Sequence, residues 1–293
     1  MNTTVESVTS ADGTRIALER VGDGAPVILI GGAYNDRSTV AALAATLAPD
    51  FTAITYDRRG RGDSGNNDRG FDVNREFDDL AAVIEWASAT SQASATSQAS
   101  ATSQASADGR AAGGTASVFG HSSGGVLAIG AALRGLPIGR LAVYEPSYVP
   151  ASARTKPGSD LYQRLIRLIG QDRRDDAVTL FQTEAVGLPA AMIEGMRSSD
   201  FWGWFTGLAH TLPYDVALHG DYEVPAARLA ALRIPVLAVD GGQSPEWIRT
   251  GTRNVAASVP DGRYLTLDGQ DHGVLHHPEA LHPALSDFLT GRY

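Results

Sequence analysis

One segment of the chain, residues 116–128, constrains the fold more than any other. It has the pattern of a buried strand, then Gly-His-Ser-Ser-Gly at 120–124, then the small residues typical of a tightly packed helix. A serine on a sharp strand-to-helix turn is held in a strained backbone conformation, and glycines are needed where a Cβ would meet the neighbouring element. The hydroxyl of Ser122 is therefore predicted to be exposed. Ser123 cannot take that position, because residue 121 would then have to be glycine and is His121.

The pattern G-x-S-x-G at this turn predicts a nucleophilic serine. Five residues of this kind also arise by chance in a chain with 32 glycines. The strand before Ser122, the helix after it and suitable partners further along the chain favour the catalytic interpretation. The helix that starts at this point directs unpaired N–H groups to the same place, where they favour negative charge on a substrate oxygen.

Length and composition limit the class of protein. With 293 residues, 43% of them apolar, the chain is long enough for one large α/β domain with an insertion. The net charge is −9 and no basic stripe is present, which argues against a nucleic-acid partner. The chain has no cysteine, so it has no disulfide or thiolate metal site. The N-terminus lacks signal-peptide features and no apolar run reaches membrane-spanning length, so we expect a cytoplasmic protein with no membrane partner.

Strands and helices alternate along the chain, which predicts a parallel sheet covered on both faces. The first strand, residues 14–20, is expected to be antiparallel and at the sheet edge. The other predicted strands, besides the one before Ser122, cover residues 26–30, 51–56, 140–144, 234–239 and 263–267. The predicted helices, besides the one after Ser122, cover residues 38–47, 71–86, 161–170, 175–186, 190–196, 201–210 and 283–289.

Two stretches interrupt this alternation. The unit Ser-Ala-Thr-Ser-Gln-Ala occurs three times within a low-complexity insertion at residues 88–107, which we expect to be a mobile excursion, with a helical extension of the preceding segment as the alternative. The chain between the strands at 140–144 and 234–239 is too long for a loop. The predicted domain division is therefore a core over 1–145, a helical cap over 146–232 and a core over 233–293.

The predicted cap has an apolar face, interpreted as a lid over the site, although packing against the core explains any one of its residues equally well. These residues are Met192, Met196, Trp202, Trp204 and Phe205.

Five landmarks in order make the chain resemble the α/β-hydrolase fold superfamily, in particular its small capped serine hydrolases. They are Gly31-Gly32-Ala33, the turn from Asp57 to Gly65, Gly120 to Gly124, Glu145-Pro146 and His272. The resemblance implies a mostly parallel twisted sheet with helices on both faces and an inserted helical cap. It also implies an oxyanion hole built from the N–H groups of Ala33 and Ser123. Most relatives have His-Gly where this chain has Gly31-Gly32, and the turn after Asp57 resembles the family's structural D-x-R-G-x-G turn, with no catalytic role.

The general base is predicted to be His272. It follows the last predicted strand, where serine hydrolases of this fold keep their histidine. Of the other histidines, His121 is expected to orient neighbours or line the pocket. His210 and His219 fall in the cap, and His276 and His277 are expected at the surface.

The carboxylate partner of His272 departs from the common pattern. Many relatives place an aspartate in a Gly-x-x-Asp-Pro turn, but the matching residues here are Gly241-Gly242-Gln243-Ser244-Pro245. Glu145, after the strand that follows the Ser122 helix, is favoured, because some members of the superfamily, including certain haloalkane dehalogenases, keep their acid there. Asp240 is the alternative acid, although its side chain, still within a strand, can point away from His272.

These residues predict a serine hydrolase that cleaves an ester, a thioester, a lactone or a carbon–carbon bond next to a carbonyl in a small to medium apolar molecule. Neither a cofactor nor a metal ion is expected. A cofactor-free perhydrolase or haloperoxidase, or a lyase, with the same triad is an alternative, since fold does not determine reaction. A non-catalytic ligand-binding protein of this fold is a further alternative, suggested by the missing Gly-x-x-Asp.

Overall fold

The structure is a computed structural model that describes residues 4–66, 72–99 and 116–292, with side chains up to residue 91 in the second range. In this part of the chain, eight strands form one sheet in the order β1-β2-β4-β3-β5-β6-β7-β8. Strands β1 and β2 are antiparallel to their neighbours and β3 to β8 are parallel, so the predicted mostly parallel sheet is confirmed. The strands are β1 (Glu6–Thr9), β2 (Arg15–Val21), β3 (Ala25–Ile30), β4 (Phe51–Tyr56), β5 (Ala116–His121), β6 (Ile138–Tyr144), β7 (Val236–Gly241) and β8 (Gly262–Leu267).

The strand predicted at residues 14–20 is antiparallel, but the prediction that it lies at the edge is wrong. Strand β1 covers it, with Glu6 opposite Leu18 and Thr9 opposite Arg15. Strand β1 has only four residues, which alternate between half-buried and exposed, and so short a stretch gives little alternation signal in the sequence.

The parallel strands have apolar side chains on both faces because helices cover both. In β3, Ile28 and Ile30 join the hydrophobic cluster on one face, whereas Val27 and Leu29 join the cluster on the other. The helices are α1 (Ala41–Leu47), α2 (Val73–Ala99), α3 (Ser123–Leu133), α4 (Leu161–Gly170), α5 (Arg174–Phe181), α6 (Ala190–Arg197), α7 (Trp202–Gly207), α8 (Leu212–His219), α9 (Ala226–Leu229), α10 (Glu246–Ser258) and α11 (Pro278–Thr290).

Helix α2 contains the first part of the low-complexity insertion. Its backbone is helical to Ala99, so residues 88–99 adopt the alternative, a helical extension of the preceding segment. Alanine and glutamine favour helix, and the hydroxyl groups of Ser88 and Thr90 donate to carbonyls one turn back, at Ile84 and Trp86. Residues 100–107 of the predicted insertion lie outside the described residues.

Helices α4 to α9 occupy the chain between β6 and β7. The predicted helix at 175–186 is α5 followed by a π-helical turn at Gln182–Val186, and the one at 201–210 is α7 followed by a 3₁₀ turn at Ala209–Thr211. Helix α8 was not predicted as a separate element. Its Pro213 lies in the first turn, where a missing N–H leaves no hydrogen bond unmade.

Helix α10 was also not predicted, and α11 begins earlier than expected. The predicted helix at 283–289 starts at Pro278 instead. Both Pro278 and Pro283 suit the first turn of a helix, so the sequence offers two starting points. In the structure, α11 begins at Pro278, and Pro283 lies inside the helix.

Candidate active site

Ser122 lies on the turn between β5 and α3 with a strained backbone. Its φ of 55° and ψ of −124° fall in a region that residues with a side chain rarely adopt. A Cβ at Gly120 would lie 2.5 Å from the carbonyl oxygen of Gly124, and a Cβ at Gly124 would lie 2.6 Å from that of Gly31. The predicted need for glycine on both sides of Ser122 therefore has a direct steric cause.

The loop after β3 approaches Ser122 closely. A Cβ at Gly32 would lie 2.8 Å from the Cβ of Ser122, so only glycine allows the two backbones to come this near. The side chain of Asn35 accepts a hydrogen bond from the Gly32 N–H at 2.8 Å, which closes the loop on itself. Ala33 lies in this loop, and Ser123 is the first residue of α3, so its N–H has no partner within the helix.

His272 and Glu145 form a hydrogen-bonded pair. The Nδ1 of His272 lies 2.6 Å from Oε2 of Glu145. Glu145 follows β6, is fully buried and has a φ of 46°, a conformation uncommon for a residue with a side chain. Its other oxygen accepts a hydrogen bond from the Gly241 N–H at 2.8 Å. Both carboxylate oxygens are therefore satisfied without water.

Asp240 lies at the end of β7 and has different partners. Its Oδ2 accepts a hydrogen bond from the Tyr264 hydroxyl at 2.6 Å and lies 3.5 Å from Nε of Arg249. Of the two carboxylates considered from the sequence, Glu145 contacts His272, whereas Asp240 contacts Tyr264 of β8.

Two side chains from the sheet hold the backbone of the loop that carries His272. Nε2 of His121 lies 2.9 Å from the carbonyl oxygen of His272, and the Tyr144 hydroxyl donates to that of Asp271 at 2.7 Å. Burial, with a smaller effect of the neighbouring His272, lowers the pKa of His121 to about 3. His121 is therefore neutral, donates through Nε2 and orients the loop, in agreement with its predicted orienting role.

The turn after Asp57 is filled with buried ion pairs. Arg58 makes two hydrogen bonds to Glu76, and Arg59 makes two to Asp79. A carboxylate from α8, Asp215, accepts hydrogen bonds from Arg58, from Arg61 and from the hydroxyl of Ser123. The structural character predicted for this turn is consistent with these pairs.

Sequence reasoning missed Asp215. It lies 92 positions from Ser123 and belongs to no motif. The one available signal is a single carboxylate inside the otherwise apolar run Leu212-Pro213-Tyr214-Asp215-Val216-Ala217-Leu218, which indicates a buried and paired charge.

The remaining histidines are used elsewhere. His276 and His277 are exposed, as predicted. Nε2 of His210 lies 2.8 Å from the carbonyl oxygen of Gly60. Nδ1 of His219 lies 2.6 Å from the carbonyl oxygen of Asp215, and its Nε2 lies 2.8 Å from the Ser147 hydroxyl.

The residues predicted to form a lid divide into two groups. Trp202 and Phe205 pack with Ala33 and Tyr34 in a third hydrophobic cluster, and Nε1 of Trp204 donates to the carbonyl oxygen of Tyr34 at 2.7 Å. Helix α7 therefore lies against the loop that contains Ala33. Met192 is 55% exposed, and Met196 is half-buried. The contribution of methionine to an inward apolar face is not observed at Met192.

No group of three or more His, Asp or Glu side chains in the described ranges is arranged to hold a metal ion. Within residues 4–66, 72–99 and 116–292, no helix combines the length and the apolar character needed to cross a bilayer.

The fold and the elbow geometry define the class of protein. Residues 27–284 match the α/β-hydrolase family, and the chain belongs to this family. It is similar to an α/β hydrolase from Sphaerobacter thermophilus, with 45% identity and a TM-score of 0.83 over 97% of this chain and all of the other.

More distant structures share the fold. A thermophilic esterase from Thermogutta terrifontis is 19% identical, with a TM-score of 0.63 and 98% of both chains covered. A bromoperoxidase from Bacillus anthracis is 16% identical, with a TM-score of 0.68 over 98% of this chain and 99% of the other. No curated protein matches the chain.

Proposed function

We propose that this chain is a serine hydrolase in which Ser122 is the nucleophile, His272 the general base and Glu145 the acid that orients His272. The proposal rests on the 2.6 Å contact between Nδ1 of His272 and the buried Glu145 carboxylate. Glu145 follows β6, and the adjacent strand β5 ends at the turn where Ser122 has its strained backbone. A serine hydroxyl needs a base at neutral pH, and a base needs a carboxylate to hold its tautomer.

The proposed mechanism follows from these contacts. With Nδ1–H donated to Glu145, the lone pair on Nε2 of His272 takes the proton of Ser122 as its oxygen attacks the substrate carbonyl. The tetrahedral oxyanion accepts hydrogen bonds from the N–H groups of Ala33 and Ser123. His272 then protonates the leaving group. Water, activated by the same histidine, hydrolyses the acyl-enzyme and regenerates Ser122.

The proposed substrate is a small to medium apolar ester, thioester, lactone or ketone with a cleavable carbon–carbon bond. Support comes from the third hydrophobic cluster, which brings Trp202, Phe205 and Tyr34 beside Ala33. Aromatic side chains next to an oxyanion site favour an apolar acyl or alcohol group. The proposed division of the chain keeps residues 146–232 as the cap that supplies these side chains, between core segments 1–145 and 233–293.

The first experiment is labelling with a fluorophosphonate probe together with hydrolysis of p-nitrophenyl acetate. The wild-type protein is expected to be labelled and to turn over the ester. Ser122→Ala is expected to abolish labelling and lower kcat by about 10⁴-fold or more, since removal of a triad nucleophile has effects of this size.

Ser258→Ala is the matched control, because this serine at the end of α10 donates only to the Asn254 carbonyl. It is expected to behave as wild type. Labelling that survives Ser122→Ala contradicts the proposed nucleophile. If the protein catalyses peroxide-dependent bromination in acetate buffer but does not cleave the ester, the result favours a perhydrolase that uses the same residues over a hydrolase.

A further inference from the structure

Asp215 lies at the centre of a buried charge cluster next to Ser122. Its side chain is fully buried, and its Oδ1 accepts hydrogen bonds from the Ser123 hydroxyl at 2.7 Å and from Nη1 of Arg58 at 2.9 Å. Nη2 of Arg61 lies 3.0 Å from Oδ1 and 2.9 Å from Oδ2. Arg58 is balanced further by Glu76, so two guanidinium groups face two carboxylates. Asp215 comes from α8, in the helical chain between β6 and β7.

Arg61 connects Asp215 to the loop after β3. Its Nη1 donates to the carbonyl oxygen of Gly32 at 2.5 Å. That carbonyl and the N–H of Ala33 belong to one planar trans peptide, so they point in opposite directions. The Gly32 oxygen also accepts a hydrogen bond from the Asn35 N–H, at the longer distance of 3.3 Å. The guanidinium holds this oxygen more closely and therefore helps to determine where the Ala33 N–H points. The same charged donor polarises the peptide and strengthens the N–H as a hydrogen-bond donor.

Ser123 connects Asp215 to the other side of the site. Its hydroxyl donates to Asp215, and Nη1 of Arg58 lies 3.3 Å from the same oxygen. These contacts hold the side chain of the residue whose N–H begins α3. Because that N–H has no partner within the helix, its direction depends on how the first turn is held.

We propose that Asp215 is a positioning residue that fixes both N–H groups of the oxyanion hole, that of Ala33 through Arg61 and Gly32 and that of Ser123 through its hydroxyl. This inference rests on the proposed function. It makes α8 a part of the catalytic apparatus, although Asp215 touches neither substrate nor Ser122.

Burial of a carboxylate opposes its ionisation, but Arg61, Arg58 and the Ser123 hydroxyl together lower the pKa of Asp215 to about 2. The carboxylate is therefore ionised at neutral pH. Loss of its charge would by itself favour an oxyanion nearby, whereas loss of its hydrogen bonds would misplace the two donors. The two effects have opposite signs, so the direction of the change in rate distinguishes them.

The test compares Ser123→Ala and Asp215→Asn with Asp79→Asn as the matched control. Asp79 is a buried carboxylate paired with Arg59 of the same turn, and it does not belong to the proposed apparatus. The measurements are kcat and KM for p-nitrophenyl acetate, the inhibition constant of phenylboronic acid, and the rate constant for phosphonylation by the fluorophosphonate probe. Circular dichroism and thermal unfolding establish that each variant is folded.

For Asp215→Asn we expect kcat and the phosphonylation rate to fall by about 10²-fold, the effect of losing one oxyanion donor. For Ser123→Ala, which keeps the N–H and removes only the hydroxyl, we expect a fall of about 3- to 10-fold. KM is expected to stay within about twofold in both, and boronic acid binding to weaken in step with kcat, because only the tetrahedral state uses these donors. Asp79→Asn is expected to keep the wild-type kcat.

A wild-type kcat in Ser123→Ala overturns the inference, as does an increased rate in folded Asp215→Asn or a loss confined to KM. If Asp215→Asn does not fold, Ser123→Ala alone decides. A wild-type protein that the fluorophosphonate does not label overturns the proposed function itself, whereas labelled wild type with equally fast variants overturns only the role of Asp215.

Discussion

At the scale of single residues, two buried carboxylates end adjacent strands of the sheet and differ in their partners. Glu145, after β6, bonds to His272, and Asp240, in β7, bonds to Tyr264. The backbone at Glu145 is left-handed, and its side chain reaches the end of β7, where it accepts a hydrogen bond from the Gly241 N–H. An ordinary strand conformation would direct the side chain above or below the sheet.

Replacement of each carboxylate by its amide tests the acid. Glu145→Gln is expected to lower kcat by about 10⁴-fold, because the amide no longer stabilises the charged imidazole or enforces its tautomer. Asp240→Asn, a matched change in an equally buried carboxylate, is expected to keep kcat within about threefold, even though its stability falls when the bonds to Tyr264 and Arg249 change. The reverse order of the two effects on p-nitrophenyl acetate hydrolysis would assign the acid to Asp240.

Residues near in sequence were easier to predict than residues brought together by the fold. The turn at Ser122 is formed by residues adjacent in sequence, so its glycines predict its geometry. Glu145 could be favoured over Asp240 only through the order of the strands. The partners of Asp215 could not be found, since its contacts depend on how α8 lies on the sheet and no spacing encodes that packing.

At the scale of elements, the ends of β5 and β6 support the loop that follows β8. His121 and Tyr144 each bond to one backbone carbonyl of the loop, at His272 and Asp271. Backbone carbonyls held in this way fix the position of the imidazole without restricting its ring. The loop has no helix or strand between β8 and the 3₁₀ turn at Val274, so these two bonds, together with the contact to Glu145, help to set where the base lies.

Tyr144→Phe is expected to remove one of these bonds, lower kcat about 3- to 10-fold and destabilise the protein by about 1 kcal/mol, the usual net value of a buried hydrogen bond. Tyr56→Phe is the matched control, because the buried Tyr56 hydroxyl has no hydrogen-bond partner among the described residues. It is expected to keep the wild-type kcat. Steady-state kinetics and urea unfolding measure both effects, and equal kcat values for the two variants would contradict a positioning role for Tyr144.

Element boundaries were predicted well where one periodicity dominated. The segment 161–170 is α4 to the residue. Boundaries failed where two signals competed, as at Pro278 and Pro283, and where a helix changes its hydrogen-bond pattern, as α5 does at Gln182. Such changes depend on packing and not on the periodicity of the sequence.

At the scale of the whole molecule, buried groups with lowered pKa values make stability depend on pH. Above its ordinary pKa of 6.5, His121 is neutral both folded and unfolded. Below that value the unfolded chain binds a proton at this histidine, whereas the folded chain does not bind it until about pH 3. The free energy of unfolding therefore falls as the pH is lowered from 6.5 to about 3. Asp215 adds a further loss as the pH falls from 3.8 to about 2. Burial also lowers the pKa of His219.

The free energy of unfolding is therefore expected to decrease between pH 7 and pH 4, and His121→Asn is expected to reduce that decrease by up to about 3 kcal/mol, at about 1.4 kcal/mol per pKa unit. Urea unfolding at pH 7, 5.5 and 4 measures it. His276→Asn, at an exposed histidine, is the control and should retain the wild-type slope. An identical slope in the two variants would show that His121 is protonated in the folded protein near its ordinary pKa.

The architecture as a whole followed from the alternation of apolar strands and helices, because parallel strands covered on both faces have few other arrangements. The edge strand β1 did not follow because it has only four residues, too few for a clear alternation. The contacts of α8 did not follow because they join residues far apart in the chain.

The shared carboxylate at Asp215 also limits how the parts of this protein can be recombined. A chimaera whose helical segment between β6 and β7 came from a protein without a carboxylate at this position would leave Arg58 and Arg61 without their common partner, in the protein interior. Conversely, this segment moved to a scaffold without the two arginines would bury the Asp215 carboxylate without a charged partner. Segment exchange with this protein should therefore transfer Asp215 and the two arginines as a single unit.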